Sequence, residues 1–115
     1  MPPVLDPLLQ HPTRLTVLAF LGACQEAEFA AVRDHCGVSD SVLSKAATAL
    51  EEVDYLVVKK GYVGKRPRTW LAATREGRAA LAAHLAELQR IVAAAETAGA
   101  RHASAAEGVT WPGAR

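Results

Sequence analysis

The stretch that most constrains the fold is CGVS, from Cys36 to Ser39, which lies between two amphipathic segments. Gly37 can take the left-handed backbone conformation that ends a helix, and Val38 can make the apolar contact that often follows it. Ser39 is a favourable N-cap, and Asp40 suits the positive end of the helix that starts there. The sequence therefore predicts two helices joined by a corner of about three residues, which is a helix-turn-helix.

The second helix of this corner is predicted over residues 39–53. Leu43, Ala47, Leu50 and Val53 recur at helical spacing, so they are expected to form its buried stripe. The opposite side is then mostly polar and faces outward. Its members are Ser41, Ser44, Lys45 and Thr48.

Two helices are predicted before the corner. One lies within EAEFAAVRDHCG and has Phe29, Val32 and Cys36 on one face. The other is HPTRLTVLAFLGACQ, with Pro12 in the first turn, where proline is tolerated. Apolar residues surround most of this helix, so we expect burial on more than one side. The segment VLDPLL in front of it contains Pro7 and is predicted to be a short turn or docking arm.

A basic hairpin is predicted after the helix-turn-helix. YLVVKK and RTWLAA are rich in residues that favour strands, and residues 61–67 between them supply the turn. The whole chain has a net charge of only +1, yet no acid interrupts the cations between positions 59 and 70. They are Lys59, Lys60, Lys65, Arg66 and Arg68. A local potential of this kind is typical of a phosphate-binding surface, even when the total charge is near zero.

The last predicted element is a long helix rich in Ala and Leu that starts after Thr74, a plausible N-cap. Leu81, Leu85, Leu88 and Val92 repeat at spacings of four, three and four, which is the pattern of a coiled-coil seam. A helix of about 25 residues is ~37 Å long, which exceeds what so small a core needs. We therefore predict a homodimer with this seam at its interface.

The apolar circumference of the first helix adds Leu18 to the predicted dimer interface. At 115 residues, the chain is predicted to hold one domain over residues 1–98 and a tail over 99–115. Trp111 is the residue through which the tail would dock. The role of this tail stays open.

Several classes of protein are unsupported by the sequence. No stretch reaches the ~18 apolar residues of a membrane span, and the N-terminus lacks the basic region of a signal peptide. Cys24 and Cys36 are too few for a disulfide scaffold, which suits a reducing cytoplasm. We expect a cytoplasmic protein without a membrane partner, and whether oxidation of either cysteine modulates it stays open.

The sequence contains no recognisable motif for catalysis or metal binding. There is no phosphate-binding glycine loop, no nucleophile elbow and no HExxH. The four histidines are scattered, and none has a metal-ligand spacing to a cysteine or carboxylate. We expect neither an enzyme, nor a metal site, nor a cofactor.

The order helix, helix, turn, helix, basic hairpin, long helix is that of a winged helix-turn-helix. The predicted fold is thus mainly α with a small β-hairpin and a long C-terminal dimerisation helix. DPLLQHPTRL, GYVGKRPRT and TREGRAAL, with their spacing, resemble the small winged-helix transcriptional regulators related to the MarR and ArsR families. The resemblance extends from Leu5 to Val92.

This resemblance implies a homodimer that binds duplex DNA and regulates transcription, most simply as a repressor that covers a promoter. In relatives the second helix of the corner enters the major groove, and the hairpin, or wing, lies on the minor groove or backbone. The resemblance thus implies wing contacts from Lys65, Arg66 and Arg68, and groove-facing positions at Ser41, Val42, Ser44, Lys45 and Thr48. Relatives usually carry larger polar residues where Val42, Ala46 and Thr48 stand, and glycine is common at the position of Asp54. The resemblance also leaves room for a small-molecule effector, whose identity no residue indicates.

The residues themselves predict weak base discrimination. Ser44, Lys45 and Thr48 can bind phosphates or base edges, but none provides a bidentate pairing with a base. We expect phosphate contacts to dominate affinity, with selectivity partly from DNA shape. The alternative is a winged-helix module that binds proteins through the basic hairpin and reads no DNA. Neither the operator nor the regulated genes follow from the sequence.

Overall fold

A computed structural model describes residues 3–105, 108–110 and 112–113. The elements are a 3-10 helix (Pro7–Gln10), α1 (Pro12–Cys24), β1 (Glu26–Glu28), α2 (Phe29–Cys36), α3 (Asp40–Glu52), β2 (Leu56–Val63), β3 (Arg66–Ala73) and α4 (Arg75–Ala105). This order confirms the winged helix-turn-helix, with a small antiparallel sheet and a long last helix.

The predicted corner between α2 and α3 is confirmed atom by atom. Gly37 has φ 65° and ψ 35°, and its N–H donates to the carbonyl of Arg33 at 2.9 Å. Ser39 is the N-cap of α3, where its hydroxyl accepts from the N–H of Val42 at 3.2 Å. These caps satisfy backbone groups that the helix ends would otherwise leave without partners.

The core lies where α1 and α3 meet the sheet. Val17, Leu21, Leu43, Leu50 and Leu71 are almost completely buried there. The N-terminal arm contributes Leu9 to the same cluster, which confirms that VLDPLL docks on the domain.

Leu18 requires a correction. Its side chain is fully buried in the core of its own chain, so it has no surface left to offer a second protomer. The apolar circumference of α1 is explained by contacts within one chain, with the arm, α3, α4 and the sheet.

The sheet has three strands in the order β1, β3, β2, whereas the sequence predicted only a hairpin. The additional strand is β1, which pairs antiparallel with β3 so that Glu26 lies opposite Ala72 and Glu28 opposite Trp70. The helix predicted within EAEFAAVRDHCG therefore starts only at Phe29. This third strand brings two acids beside the basic hairpin.

The hairpin is longer and its turn tighter than predicted. The strands reach Val63 and Arg66, so only Gly64 and Lys65 form the loop. Gly64 has φ 64°, the positive value that a two-residue hairpin loop commonly requires. Pro67, expected in the turn, is paired within β3 opposite Tyr62.

The helix α4 begins as predicted but ends later. The hydroxyl of Thr74 accepts from the N–H of Gly77 at 2.9 Å and so caps the first turn. The helix then continues through Gly99 for 31 residues, and the described molecule is 73 Å in its longest dimension. Trp111 lies outside the described residues. No helix in the described part of the chain is long and apolar enough to cross a membrane.

Candidate nucleic-acid interface

The outward face of α3 carries the predicted groove-facing residues. Leu43, Ala46, Ala47 and Leu50 occupy the inner face, which turns the remaining side chains to solvent. The exposed members are the predicted Ser41, Val42, Ser44, Lys45 and Thr48. Val53, predicted in the buried stripe, instead caps the helix at its exposed C-terminal end.

The structure brings α3 and the hairpin together around one shallow hollow of about 380 Å³. Ser44 and Thr48 line it from α3, and Val58 and Thr69 line it from the two hairpin strands. Asp40 also reaches it from the first turn of α3. Two regions that the sequence could only propose separately thus form one continuous surface.

The strand register decides which cations share this surface. Directly opposed residues of an antiparallel pair point to the same face, and successive pairs alternate between faces. Lys60 is opposite Thr69, two positions from the pair of Val58 and Leu71. Lys60 therefore lies on the side of the hairpin that faces α3.

The other face of the hairpin corrects the sequence-based picture of its charge. Glu26 of β1 forms an ion pair with Lys59 at 3.1 Å, and Glu28 forms one with Arg68 at 3.4 Å. Two of the five predicted cations therefore have acidic partners on the outer face of the sheet. Both pairs are partly exposed, so each contributes little to stability and can exchange for a phosphate.

The remaining cations of the hairpin are Lys60, Lys65 and Arg66. All three are exposed, and none forms an ion pair with a described residue. Lys65 belongs to the turn and Arg66 follows it directly, so the unneutralised charge is concentrated at the tip and on the side facing α3.

Asp40 is an acid in the first turn of α3, and it also has an ion-pair partner. The guanidinium of Arg33 in α2 donates to Asp40 at 2.9 Å and to Asp34 at 3.1 Å. These two carboxylates, Asp40 first, raise the pKa of Arg33. The pairing reduces the negative potential of Asp40 and links α2 to α3 across the corner.

Comparison with protein families agrees with this arrangement. The model of the winged helix DNA-binding domain matches residues 13–92. The chain belongs to this family. The match covers α1 to α3, the hairpin and the part of α4 that contacts the domain, so it includes every residue of the surface described above.

Solved winged helix structures share the fold. A transcriptional regulator homologue from Pyrococcus horikoshii is 23% identical, with a TM-score of 0.71, over 76% of this chain and 86% of its own. NadR in complex with 4-hydroxyphenylacetate is 21% identical, with a TM-score of 0.61, over 84% and 71%. ZitR of Lactococcus lactis, a zinc-responsive MarR family member, is 18% identical, with a TM-score of 0.53, over 77% and 60%.

At these identities the likeness is one of fold. The fold is that of the winged helix regulators that the sequence resembles, among them the MarR family member ZitR. No curated protein sequence matches the chain significantly.

The seam predicted on the last helix of the winged helix domain is mostly exposed. Leu81 is half-buried against the core, whereas Leu85 is 53% exposed, Leu88 36% and Val92 55%. The seam therefore leaves the body of the domain after Leu81. From there it runs along the projecting part of α4 as an apolar stripe.

The two cysteines of the winged helix domain differ in environment. Cys24 is exposed at the end of α1, and Cys36 is partly buried before the corner. Burial raises the pKa of the Cys36 thiol, which disfavours the reactive thiolate. Among the described residues, no group of three or more His, Cys, Asp or Glu is arranged to hold a metal ion.

Proposed function

We propose that this chain is a homodimeric regulator of transcription that binds duplex DNA with sequence selectivity. The helix α3 enters the major groove, and the β2–β3 hairpin lies on the adjacent minor groove or backbone. The observation that carries the proposal is the single surface on which the polar face of α3 adjoins the unneutralised cations of the hairpin.

The DNA contacts divide into two kinds. Ser41, Val42, Ser44, Lys45 and Thr48 face the groove, and Lys60, Lys65 and Arg66 bind phosphates or the minor groove. Lys59 and Arg68 join them only after exchanging Glu26 and Glu28 for phosphates. Since short hydroxyl side chains discriminate bases weakly, phosphate contacts dominate affinity and DNA shape contributes to selectivity.

Dimerisation uses the apolar stripe of α4. Leu85, Leu88 and Val92 are exposed on a helix that extends ~46 Å, well beyond its own domain. Pairing two such helices about a two-fold axis removes the stripe from water. The same symmetry presents two α3 helices to half-sites about 34 Å apart, one turn of DNA.

The proposed regulator acts in the cytoplasm as a repressor that occludes a promoter, without catalytic activity. Its DNA affinity responds to a small effector. A hollow of about 640 Å³ lies between the end of α1 and the start of α4 and is lined by Arg78 and Lys59. Glu26 also lines this hollow and pairs with Lys59, so Arg78 is the cation that would hold an anionic ligand. This lining favours a small carboxylate, the class to which the 4-hydroxyphenylacetate bound by NadR belongs.

A salt series of DNA binding tests the proposal. The purified protein is titrated on a duplex from its own upstream region, with a scrambled duplex of equal length as the control. A regulator binds the upstream duplex more tightly, and log K falls linearly with log salt. Equal binding to both duplexes contradicts sequence selectivity.

Replacement of Lys65 and Arg66 by Ala tests the role of the hairpin. Each phosphate contact that is lost should lower the salt slope by ~0.9. Arg101→Ala, an exposed cation near the far end of α4, is the matched control and should leave the slope unchanged. A protein that binds an acidic protein partner and ignores competing duplex supports the alternative interaction module instead.

A further inference from the structure

Tyr62 is an aromatic residue that the sequence analysis did not assign to any site. It is 76% exposed near the end of β2, directly opposite Pro67 of β3. Because opposed residues share a face, the tyrosine and proline rings lie side by side on one side of the hairpin tip. Together they form a small apolar platform in solvent.

The register places this platform on the side that faces α3. The pair of Tyr62 and Pro67 follows the pair of Lys60 and Thr69 on the same face, and Thr69 borders the hollow shared with α3. Tyr62 is four positions beyond Val58, which also borders the hollow, so the platform lies about 14 Å farther toward the tip.

The charges around the platform identify its occupant. Lys60 precedes it on the same face, and Lys65 lies in the adjoining turn, both without an acidic partner among the described residues. Arg66 begins β3 on the other face, where it pairs with Val63. Glu26 and Glu28 are on the opposite face of the sheet. A partner that fits must alternate negative charge with apolar surface over a few ångströms, and the sugar-phosphate backbone of DNA does so.

We propose that Tyr62 and Pro67 pack against deoxyribose where the wing meets DNA, while Lys60 on the same face and Lys65 of the turn bind the flanking phosphates. This inference rests on the proposed DNA-binding function and adds a non-ionic contact to it. The tyrosine ring supplies apolar area with little conformational freedom to lose, and its hydroxyl can donate to a phosphate oxygen. A contact of this kind raises affinity without releasing a counterion.

The test separates ionic from non-ionic contributions in the same salt series. Tyr62→Ser should weaken binding by about tenfold at every salt concentration, as expected for losing part of a buried aromatic ring, and leave the slope unchanged. Tyr62→Phe should retain most of the affinity. Lys60→Ala should instead lower the slope by ~0.9.

Val63→Ser provides the matched control. Val63 is adjacent in sequence and 54% exposed, but its pair with Arg66 puts it on the opposite face. This variant should bind as the unmodified protein does, and thermal unfolding verifies that all variants remain folded.

Three results would overturn the inference. The first is that Tyr62→Ser leaves the affinity unchanged while Lys60→Ala lowers it. The second is that Tyr62→Ser lowers the salt slope, and the third is that Val63→Ser weakens binding as much as Tyr62→Ser does. In each case the unmodified protein still binds DNA and the proposed function stands. If the unmodified protein binds no duplex, both fail.

Discussion

The hydroxyl of Tyr55 donates a 2.6 Å hydrogen bond to the carboxylate of Asp6, 49 positions earlier in the chain. The N–H of Asp6 donates in turn to Nδ1 of His84, which is only 5% exposed on α4. Tyr55 also stands between α3 and the hairpin, where its N–H donates to the carbonyl of Leu50 and its carbonyl accepts from Thr74. The arm, the base of the hairpin and α4 are therefore joined at one tyrosine.

This bond predicts a specific dependence of stability on pH. The hydrogen bond to Asp6 raises the pKa of Tyr55 from 10.0 to about 12. A raised pKa in the folded state means that the stabilisation is complete below pH 10 and is lost as pH rises toward 12. Tyr55→Phe should be less stable than the unmodified protein at pH 9, and the difference should shrink by pH 12.

Urea unfolding between pH 9 and 12 measures this difference. Tyr62→Phe removes a hydroxyl from a largely exposed tyrosine and serves as the control. A gap between Tyr55→Phe and the unmodified protein that stays constant across this range would contradict the assignment.

The packing around Gly77 predicts how much stability a single added methyl group removes. A Cβ at this position would overlap the backbone carbonyl of Tyr55. That residue is held in place by backbone hydrogen bonds to Leu50 and from Thr74. We expect Gly77→Ala to lower the free energy of unfolding by about 3 kcal/mol or more, as overpacking against backbone does. Chemical denaturation measures the loss.

The control for this substitution is Gly99→Ala in the same helix. Gly99 has open space around it, so the alanine should stabilise α4 by about 0.5–1 kcal/mol through helix propensity alone. Equal effects at the two positions would mean that the close approach of α4 to Tyr55 is absent in solution.

Local chemistry accounts for what could be predicted from the sequence. Gly37, Ser39 and Thr74 act within one turn of their own position, so their residue types sufficed to predict the corner and the start of α4. The alternating hairpin strands and the long apolar repeat of α4 are likewise local patterns.

The missed features depend on contacts between distant segments. Glu26–Glu28 has no residue with a strong strand preference and becomes a strand only because β3 offers it an edge. The ion pairs of Lys59 and Arg68 depend on that strand, so the sequence alone could not predict them either. Leu18 was misassigned because hydrophobicity cannot tell a core contact from a partner contact.

Removing the two acids of β1 is predicted to increase the affinity for DNA. Replacing Glu26 and Glu28 by Gln releases Lys59 and Arg68 from their ion pairs. We expect tighter binding to any duplex and a salt slope that is steeper by as much as ~0.9 for each cation that reaches a phosphate. Glu96→Gln, on the projecting part of α4, makes the charge change of one such replacement away from the hairpin and serves as the control for each single variant.

The cysteines are expected to react at different rates. Cys24 is exposed, whereas burial raises the pKa of Cys36 and lowers its thiolate fraction near neutral pH. A disulfide reagent such as dithionitrobenzoate should modify one thiol per chain quickly and the second slowly. Cys24→Ser should remove the fast phase. If Cys36→Ser removes it instead, the assignment of the two environments is wrong.

The apolar stripe of α4 predicts which substitutions dissociate the proposed dimer. Leu85→Glu and Leu88→Glu place charges on a surface that the proposed dimer removes from water, so sedimentation should show monomers at concentrations where the unmodified protein is a dimer. Ala94→Glu adds a charge of the same sign at an exposed position on the side of the helix opposite the stripe, and should leave the dimer intact. Because neither leucine belongs to the buried core of one chain, the monomeric variants should stay folded. Their affinity for a two-half-site duplex should fall toward that for a single half-site. A folded, dimeric double variant would exclude this stripe as the interface.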